Sequence, residues 1–464
     1  MNVFKCFLRK NVLSLIVILL IICILWCIHS FWAIHTLMSR KPGVSRTVGL
    51  LFTSTLVTPR DTPWVFHEKL EDVRAKGWVG FKDLVTTNCE QMFRTQVNNS
   101  QYDQQVSRVY PTEYLEACAN CSMFREVYGF LRYPRPTEEE LGFPIAFVLL
   151  FHTDLDQVML LLRAIYRPHN VYCLSVDTKS SVEFLEAVRA VSRCLPNVFV
   201  ASKLENIVYA GFSRLMADIH CMEDLLLHPV QWRYVINMPG QQFPLRTNLE
   251  IVRILKIYNG SNEVESTDMI NNDRYPERYK WKYRYLRMAK TGRIRLYLKN
   301  ETAGKPPHGL EVVKGSTYGT FSRKFIHFAL TSQVAKDLLD WVKPIYSPDE
   351  YFWSTLQHTT LMEVPGGYKA SGPKANKPYL SSYTAWRYLD PCQNFFVRHI
   401  CIFSPADLPR LRDRMELYVN KLYITSYPAA LHCLDEWLVN RTFHGTTVDM
   451  DYYRALPFVK KSAE

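Results

Sequence analysis

Between Phe143 and Tyr258 the chain repeats one pattern four times: a short apolar run, then a segment with helical spacing. "FPIAFVLLFH" precedes "DLDQVMLLLRAIY", and "NVYCLSVD" precedes "SSVEFLEAVRAVSRCL". "NVFVAS" precedes "GFSRLMADIHCMEDLLL", and "WRYVINM" precedes "TNLEIVRILKIY". Continuous apolar runs suit strands buried on both faces, and an intervening helix makes successive strands parallel. The pattern therefore predicts an α/β fold with a parallel sheet covered on both sides. Ligands of such sheets bind beyond the carboxyl ends of the strands. No G-x-G-x-x-G or Walker glycine loop follows the first run, which disfavours a dinucleotide or P-loop site. Asp177 ends the second run. A carboxylate there serves equally well to close a turn or to accept hydrogen bonds from a ribose or base. From about residue 260 onward the chain is polar and rich in Tyr and Arg, with mixed elements and no internal repeat.

Upstream, no Lys, Arg, Asp or Glu occurs from Asn11 to Ser39, and Val12 to Ile34 is nearly all apolar. Such a run spans a hydrocarbon core of about 30 Å as one helix. It lacks the small-residue exit of a cleaved signal peptide. The expected organisation is a cytoplasmic tail (1–11), a transmembrane signal anchor (12–34), a stem (35–88) and a lumenal catalytic domain (89–464). Lys5, Arg9 and Lys10 before the span are answered by Arg40 and Lys41 after it, so flanking charge orients it only weakly. Cysteines and sequons carry more weight. Nine of the twelve cysteines lie beyond the span without a pair of C-x-x-C motifs, which points to disulfides rather than zinc and leaves one thiol over. N-glycosylation sequons begin at Asn98, Asn120, Asn259, Asn300 and Asn440. Together they fit an oxidising lumen.

The formal net charge of +12 invites a nucleic-acid reading, but residues 1–60 hold seven Lys/Arg and no acid. With no basic repeat or RNA-binding signature in the remainder, a modestly positive cleft for a small anionic ligand fits better than nucleic acid. The octapeptide "YSPDEYFW" (346–353) sets Asp349 and Glu350 together among aromatics. Ser347 as N-cap, Pro348 at the first helical position and Glu350 three residues on would form a capping box. The same carboxylate would also suit a general base.

Four segments resemble one family: "RAIYRPHNVYCLSVDTKS", "NVFVASKLENIVYAGFSRLMADIHCMEDLL", "INMPGQQFPLRTNLEIVRILK" and "YSPDEYFWSTLQ". They are similar to the core-2/I-branching β-1,6-N-acetylglucosaminyltransferases, from about Cys89 to Trp437 and most densely from 143 to 260. The resemblance implies a metal-independent, GT-A-like Rossmann-type glycosyltransferase fold on a type II Golgi membrane protein. The nucleotide-binding half would cover about 143–260 and the acceptor and catalytic half about 261–440. It implies inverting transfer of GlcNAc from UDP-GlcNAc, in β-1,6 linkage, to Gal or GalNAc of a glycoprotein glycan, with no cofactor and no metal.

On the same grounds Glu350 is the expected base, Asp177 and Tyr209 the expected nucleotide contacts, and Arg398 and Lys421 the expected diphosphate cations. Glu265, Trp386 and Tyr388, with Arg278 on a looser match, are the expected acceptor contacts. The resemblance also implies the disulfides Cys89–Cys433, Cys121–Cys194, Cys173–Cys221 and Cys392–Cys401, leaving Cys118 free. The segments "DLD" (154–156) and "DMD" (449–451) imitate a metal motif at places where the family has none. The chain departs from the family pattern at Gln242, at the "LFHTD" exit of the first run, and in the short segment "RYLDP" after Trp386. These departures keep two alternatives in play: a catalytically silent homologue that binds glycans or escorts another transferase, and a transferase using another donor such as UDP-xylose. A glycosidase would need a second carboxylate that the sequence does not nominate. The membrane is met through residues 12–34, and a homodimer is left open.

Overall fold

Residues 145–151 carry seven consecutive apolar side chains, and all seven are buried in strand β1 (Ile145–Phe151). The computed structural model describes residues 87–95, 106–266, 278–368, 379–445 and 448–460. These lie in one compact unit running from Pro59 to Glu464. The expected tail and anchor, nearly all of the stem, and Asn98 lie outside the described residues. Among the described residues no helix is long and apolar enough to cross a membrane.

The strand–helix pattern forms as expected: β1, α1 (Leu155–Ile165), β2 (Val171–Val176), α2 (Val182–Cys194), β3 (Val198–Val200), α3 (Phe212–Leu227), β4 (Tyr234–Pro239). A short strand β5 (Gln242–Pro244) then leads into α4 (Asn248–Tyr258), which Thr247 and Glu250 start with a reciprocal capping box. Further strands are β6 (Glu263–Val264), β7 (Trp281–Arg287), β8 (Ile294–Thr302) and β9 (Gly319–Ser322). Helix α5 (Asp349–His358) precedes β10 (Ser382–Thr384), β11 (Phe396–Val397), β12 (Ile400–Cys401) and β13 (Tyr418–Asn420). Helix α6 covers Pro428–His444.

The main sheet has the order β3-β2-β1-β4-β9-β6. The four strands of the repeated pattern are parallel, whereas β9 runs antiparallel to β4 and β6 antiparallel to β9. The sheet is therefore mixed rather than purely parallel, because the two added strands come from beyond residue 260, where the repeating period has ended. Alternate residues of β1 supply two different layers, as the period of a strand requires. Phe147 and Leu149 pack with α1, α2 and α4, while Ala146 and Val148 pack with α3 and α5. The chain goes from β1 outward to β2 and β3, then returns to β4 on the other side of β1. The carboxyl ends of β1 and β4 thus flank a topological switch point, where a crevice opens.

Four disulfides pair as the resemblance implies: Cys89–Cys433, Cys121–Cys194, Cys173–Cys221 and Cys392–Cys401. Cys118 is free, and burial pushes its thiol up to about 11. Helix α6 is also held by charge: buried Asp435 accepts from Arg132 at 2.6 Å and from Arg163 at 2.8 Å. These two guanidinium groups outweigh burial and hold the Asp435 carboxyl at about 2. Of the sequons described, Asn120, Asn259 and Asn300 are exposed and Asn440 is half-buried.

Candidate active site

A cavity of about 820 Å³ opens at the switch point and draws on every layer described above. Its walls include all nine residues singled out from the sequence: Asp177, Tyr209, Glu265, Arg278, Glu350, Trp386, Tyr388, Arg398 and Lys421. They span 245 positions in the chain, so the tertiary fold alone assembles them.

Asp177 emerges at the end of β2 and is buried. Its carboxylate accepts from the Lys179 backbone N–H at 3.0 Å, from Lys179 Nζ at 2.8 Å and from the Ile207 N–H at 3.3 Å. It closes the strand-exit turn and lines the cavity at once, so both readings of this position hold a place. Tyr209, in the loop after β3, is 62% exposed, and the Arg398 guanidinium lies over its ring at 4.3 Å from the centroid.

Arg398 reaches that place through a tight ribbon. β11 and β12 are antiparallel and joined by only Arg398 and His399, with φ of 52° and 65°. Two consecutive positive φ values make the primed turn that matches strand twist, a conformation usually left to Asn or Gly. Its root is fixed by the Cys392–Cys401 disulfide, by the Cys401 N–H donating to the Ala385 carbonyl at 2.9 Å, and by the Arg387 N–H donating to the His399 carbonyl at 2.9 Å. The short "RYLDP" segment folds into a turn that Asp390 closes by accepting from the Trp386 N–H at 3.0 Å. It leaves Tyr388 on the rim, 77% exposed.

Lys421 follows β13, which lies between β5 and β10. Burial, reinforced by the Arg398 charge, lowers its ammonium to about 8. Among the described residues no carboxylate pairs with Arg398 or Lys421, so two cations face the cavity with nothing neutralising them.

Glu350 lines the same cavity, and the helix start there differs from the expected capping box. Ser347 sits at φ 53° and Pro348 is the N-cap, with no side-chain cap. In that left-handed conformation the chain turns before the helix begins, and the Glu350 N–H is met by the Ser347 carbonyl at 3.0 Å. The carboxylate instead pairs with Lys314 at 3.0 Å. Burial raises the Glu350 carboxyl above its ordinary range, while Lys314 first, and Arg278 more weakly, pull it back down.

Lys314 is the residue that sequence reasoning missed. It is 36 positions from Glu350 and carries no motif, and its side chain is almost wholly buried. Gly315 lets it approach: a Cβ there would lie 1.9 Å from Ser354 Oγ and 2.1 Å from the Glu265 carbonyl oxygen. The Gly315 N–H donates to the Glu350 carbonyl at 2.8 Å, and Ser354 Oγ donates to the Glu265 carbonyl at 3.1 Å. One compact knot thus joins Lys314, Glu350 and Glu265. Next to it Thr317 donates to Asp349 at 2.6 Å, and the Arg278 guanidinium lies 4.7 Å from the Tyr346 ring centroid.

The two Asp-x-Asp segments are taken up by ion pairs and a helix cap, although Asp154 also lines the cavity. Asp154 and Asp156 both accept from Arg108, at 2.9 and 2.5 Å. Asp449 caps the helix Met450–Arg454, and Asp451 pairs with Arg454 at 2.7 Å. Cys89, His432 and Glu436 cluster, but the Cys89 sulfur is in a disulfide and has no thiolate to offer.

The arrangement therefore brings one restrained carboxylate and two cations without a carboxylate partner among the described residues into one crevice, at the ligand-binding edge of an α/β sheet. Residues 145–412 match the family described as "Branch: Core-2/I-Branching enzyme". The chain belongs to the Core-2/I-Branching enzyme family. It is 33% identical over 388 residues to "Beta-1,3-galactosyl-O-glycosyl-glycoprotein beta-1,6-N-acetylglucosaminyltransferase 3" of Rattus norvegicus, covering 82% of this chain and 86% of the relative. It is 38% identical over 354 residues to the protein of the same name from Bos taurus, covering 72% and 76%. A relative from Homo sapiens, "Beta-1,3-galactosyl-O-glycosyl-glycoprotein beta-1,6-N-acetylglucosaminyltransferase", is 36% identical over 342 residues, covering 71% and 77%. The matched region contains Glu350 and Arg398 and stops nine residues short of Lys421. As a Core-2/I-Branching enzyme the chain is a glycosyltransferase.

Proposed function

We propose that this chain transfers GlcNAc from UDP-GlcNAc, in β-1,6 linkage, to Gal or GalNAc of a glycoprotein glycan, with inversion at the anomeric carbon. The observation that carries the reading is that Glu350 lines one cavity together with Arg398 and Lys421. The O6 hydroxyl of the acceptor attacks C1 of GlcNAc and gives its proton to Glu350. The bond from C1 to the diphosphate oxygen breaks, and UDP leaves with the electron pair. Arg398 and Lys421 stabilise the charge that develops on the departing diphosphate, acting as fixed cations in place of a metal ion. Asp177 and Tyr209 hold the nucleotide. Glu265, Arg278, Trp386 and Tyr388 orient the acceptor, with the indole and phenol rings against apolar sugar faces. Lys314 keeps the Glu350 carboxylate ionised and fixed while the acceptor arrives.

On this reading the protein is a type II Golgi membrane protein with the described residues in the lumen, where its disulfides form. The test is transfer from radiolabelled UDP-GlcNAc by the full chain, with EDTA present, to a panel of Gal- and GalNAc-terminated glycans. Transfer to at least one glycan that survives EDTA is expected. UDP binding without transfer to any acceptor would favour the silent homologue instead, and transfer only from UDP-xylose would replace the donor.

A further inference from the structure

Beyond residue 60 the positive charge of this chain is concentrated in one place. Residues 278–302 hold nine Lys/Arg against the single acid Glu301. They fold as the antiparallel ribbon β7–β8, with Arg284 opposite Tyr297 and Leu286 opposite Arg295. Lys282 and Lys299 share Glu301, at 3.9 and 3.1 Å. Arg284, Arg287, Lys290, Arg293 and Arg295 are exposed, and none has a carboxylate partner among the described residues. Like charges on neighbouring cross-strand positions weaken a two-stranded ribbon, so this accumulation does nothing for its stability.

The ribbon has a defined inner and outer face. On the inner side Tyr283 packs on Tyr346, with ring centroids 5.3 Å apart, and Tyr285 Oη accepts from the Phe212 N–H at 2.9 Å. Alternation along the strands therefore turns Arg284, Arg295 and Tyr297 outward. Tyr346 lines the catalytic cavity, and Arg278, three residues before β7 begins, lines it too. The ribbon thus starts beside the cavity, and its outer face carries Arg284 and Arg295, with Arg293 in the turn between the strands.

We propose that the outer face of the β7–β8 ribbon binds an anionic glycan chain, one bearing sulfate or sialic acid groups, and so recruits acceptors that carry such charge. The inference rests on the proposed transfer to a glycan acceptor. Two features select the partner. Its charge complements a row of guanidinium groups, which fork onto sulfate or carboxylate oxygens. Its sugars suit the exposed ring among them, Tyr297. The position of the ribbon makes the contact useful, since a chain whose terminal sugar enters the cavity passes its rim.

The experiment compares the full chain with the variant Arg284→Gln/Arg293→Gln/Arg295→Gln. The probes are dextran sulfate, neutral dextran of equal length, and vesicles containing phosphatidylserine. Wild type should bind dextran sulfate with an affinity that falls steeply with salt, ignore neutral dextran, and prefer the polysaccharide to the vesicles. The variant should lose about tenfold or more in dextran sulfate affinity while retaining wild-type UDP binding, which verifies its fold. Its turnover of a small neutral acceptor should match wild type, whereas its KM for a sulfated acceptor should rise. Equal dextran sulfate binding by both proteins overturns the proposal, as does wild-type binding to vesicles alone. Failure of all transfer with the binding difference intact would instead strike at the proposed activity and leave the anion-binding face standing.

Discussion

Two groups of residues lining the cavity treat charge in opposite ways. In one, Glu350 is met by Lys314 at 3.0 Å, with a backbone knot around them and Gly315 where no side chain fits. In the other, Arg398 and Lys421 stand close enough for one charge to depress the other, and no carboxylate among the described residues answers them. A charge with a built-in partner keeps its position and ionisation when the site is empty. A pair of like charges without one is tolerable only where an anion arrives to neutralise it. The difference separates a group that handles a proton from groups that handle a leaving diphosphate.

The comparison breaks most sharply at the cationic group. Replacing both Arg398 and Lys421 with Ala should lower kcat/KM by about 10³-fold or more, as for loss of fixed donors facing a developing anion. UDP affinity, read by calorimetry, should fall with it. Unchanged UDP affinity would remove these residues from the phosphate site. Next in size is Lys314→Met in the other group. Without the ammonium, burial is opposed only by the weaker pull of Arg278 and the Glu350 carboxyl rises further, so the acid limb of the kcat/KM profile should move to higher pH. At neutral pH the rate should fall by about tenfold, the cost of one unit of mismatch between base and working pH. UDP affinity should not change. A profile that keeps its shape would make Lys314 a packing residue.

A pH titration of the unmodified protein sharpens the same contrast. Lys421 is charged below its value of about 8 and loses its proton above it. UDP affinity should therefore hold up to about pH 8 and weaken beyond it, by up to about tenfold per unit where one proton is linked to binding. Lys421→Arg, which stays protonated, should flatten that loss. The smallest effect concerns the tether of the Arg398 turn. Cys392→Ser/Cys401→Ser should weaken UDP binding a few-fold and raise the KM for acceptor, because the same ribbon is paired to the Trp386 segment.

How much of this was legible follows from the range of the interactions. β1 to β4 and their helices were readable because each depends on a local period, buried strand then amphipathic helix. Of the nine cavity residues, Asp177 and Glu350 could be nominated from local pattern, and the other seven only through the family resemblance. Nothing in the spacing of Asp177, Glu350 and Lys421 says that they meet. Lys314 was invisible because its role depends on a close backbone approach at Gly315 to Ser354 and Glu265, residues distant in sequence. The capping box failed because Ser347 takes φ 53°, a turn forced by the path into the site, where a statistical cap would hold it extended. The ribbon at 281–302 was read only as polar and rich in Tyr and Arg. Averaging its charge with the rest of the chain hid its excess of Lys and Arg.

The account depends above all on Glu350 acting on a proton rather than holding a helix. The deciding measurement is Glu350→Gln, which keeps the side-chain shape and removes the basicity, with kcat and UDP affinity measured on the same preparation. The account predicts a fall in kcat of about 10²-fold to 10⁴-fold with UDP affinity unchanged. A variant that turns over at the wild-type rate would contradict it and leave Glu350 as the partner of Lys314 and nothing more.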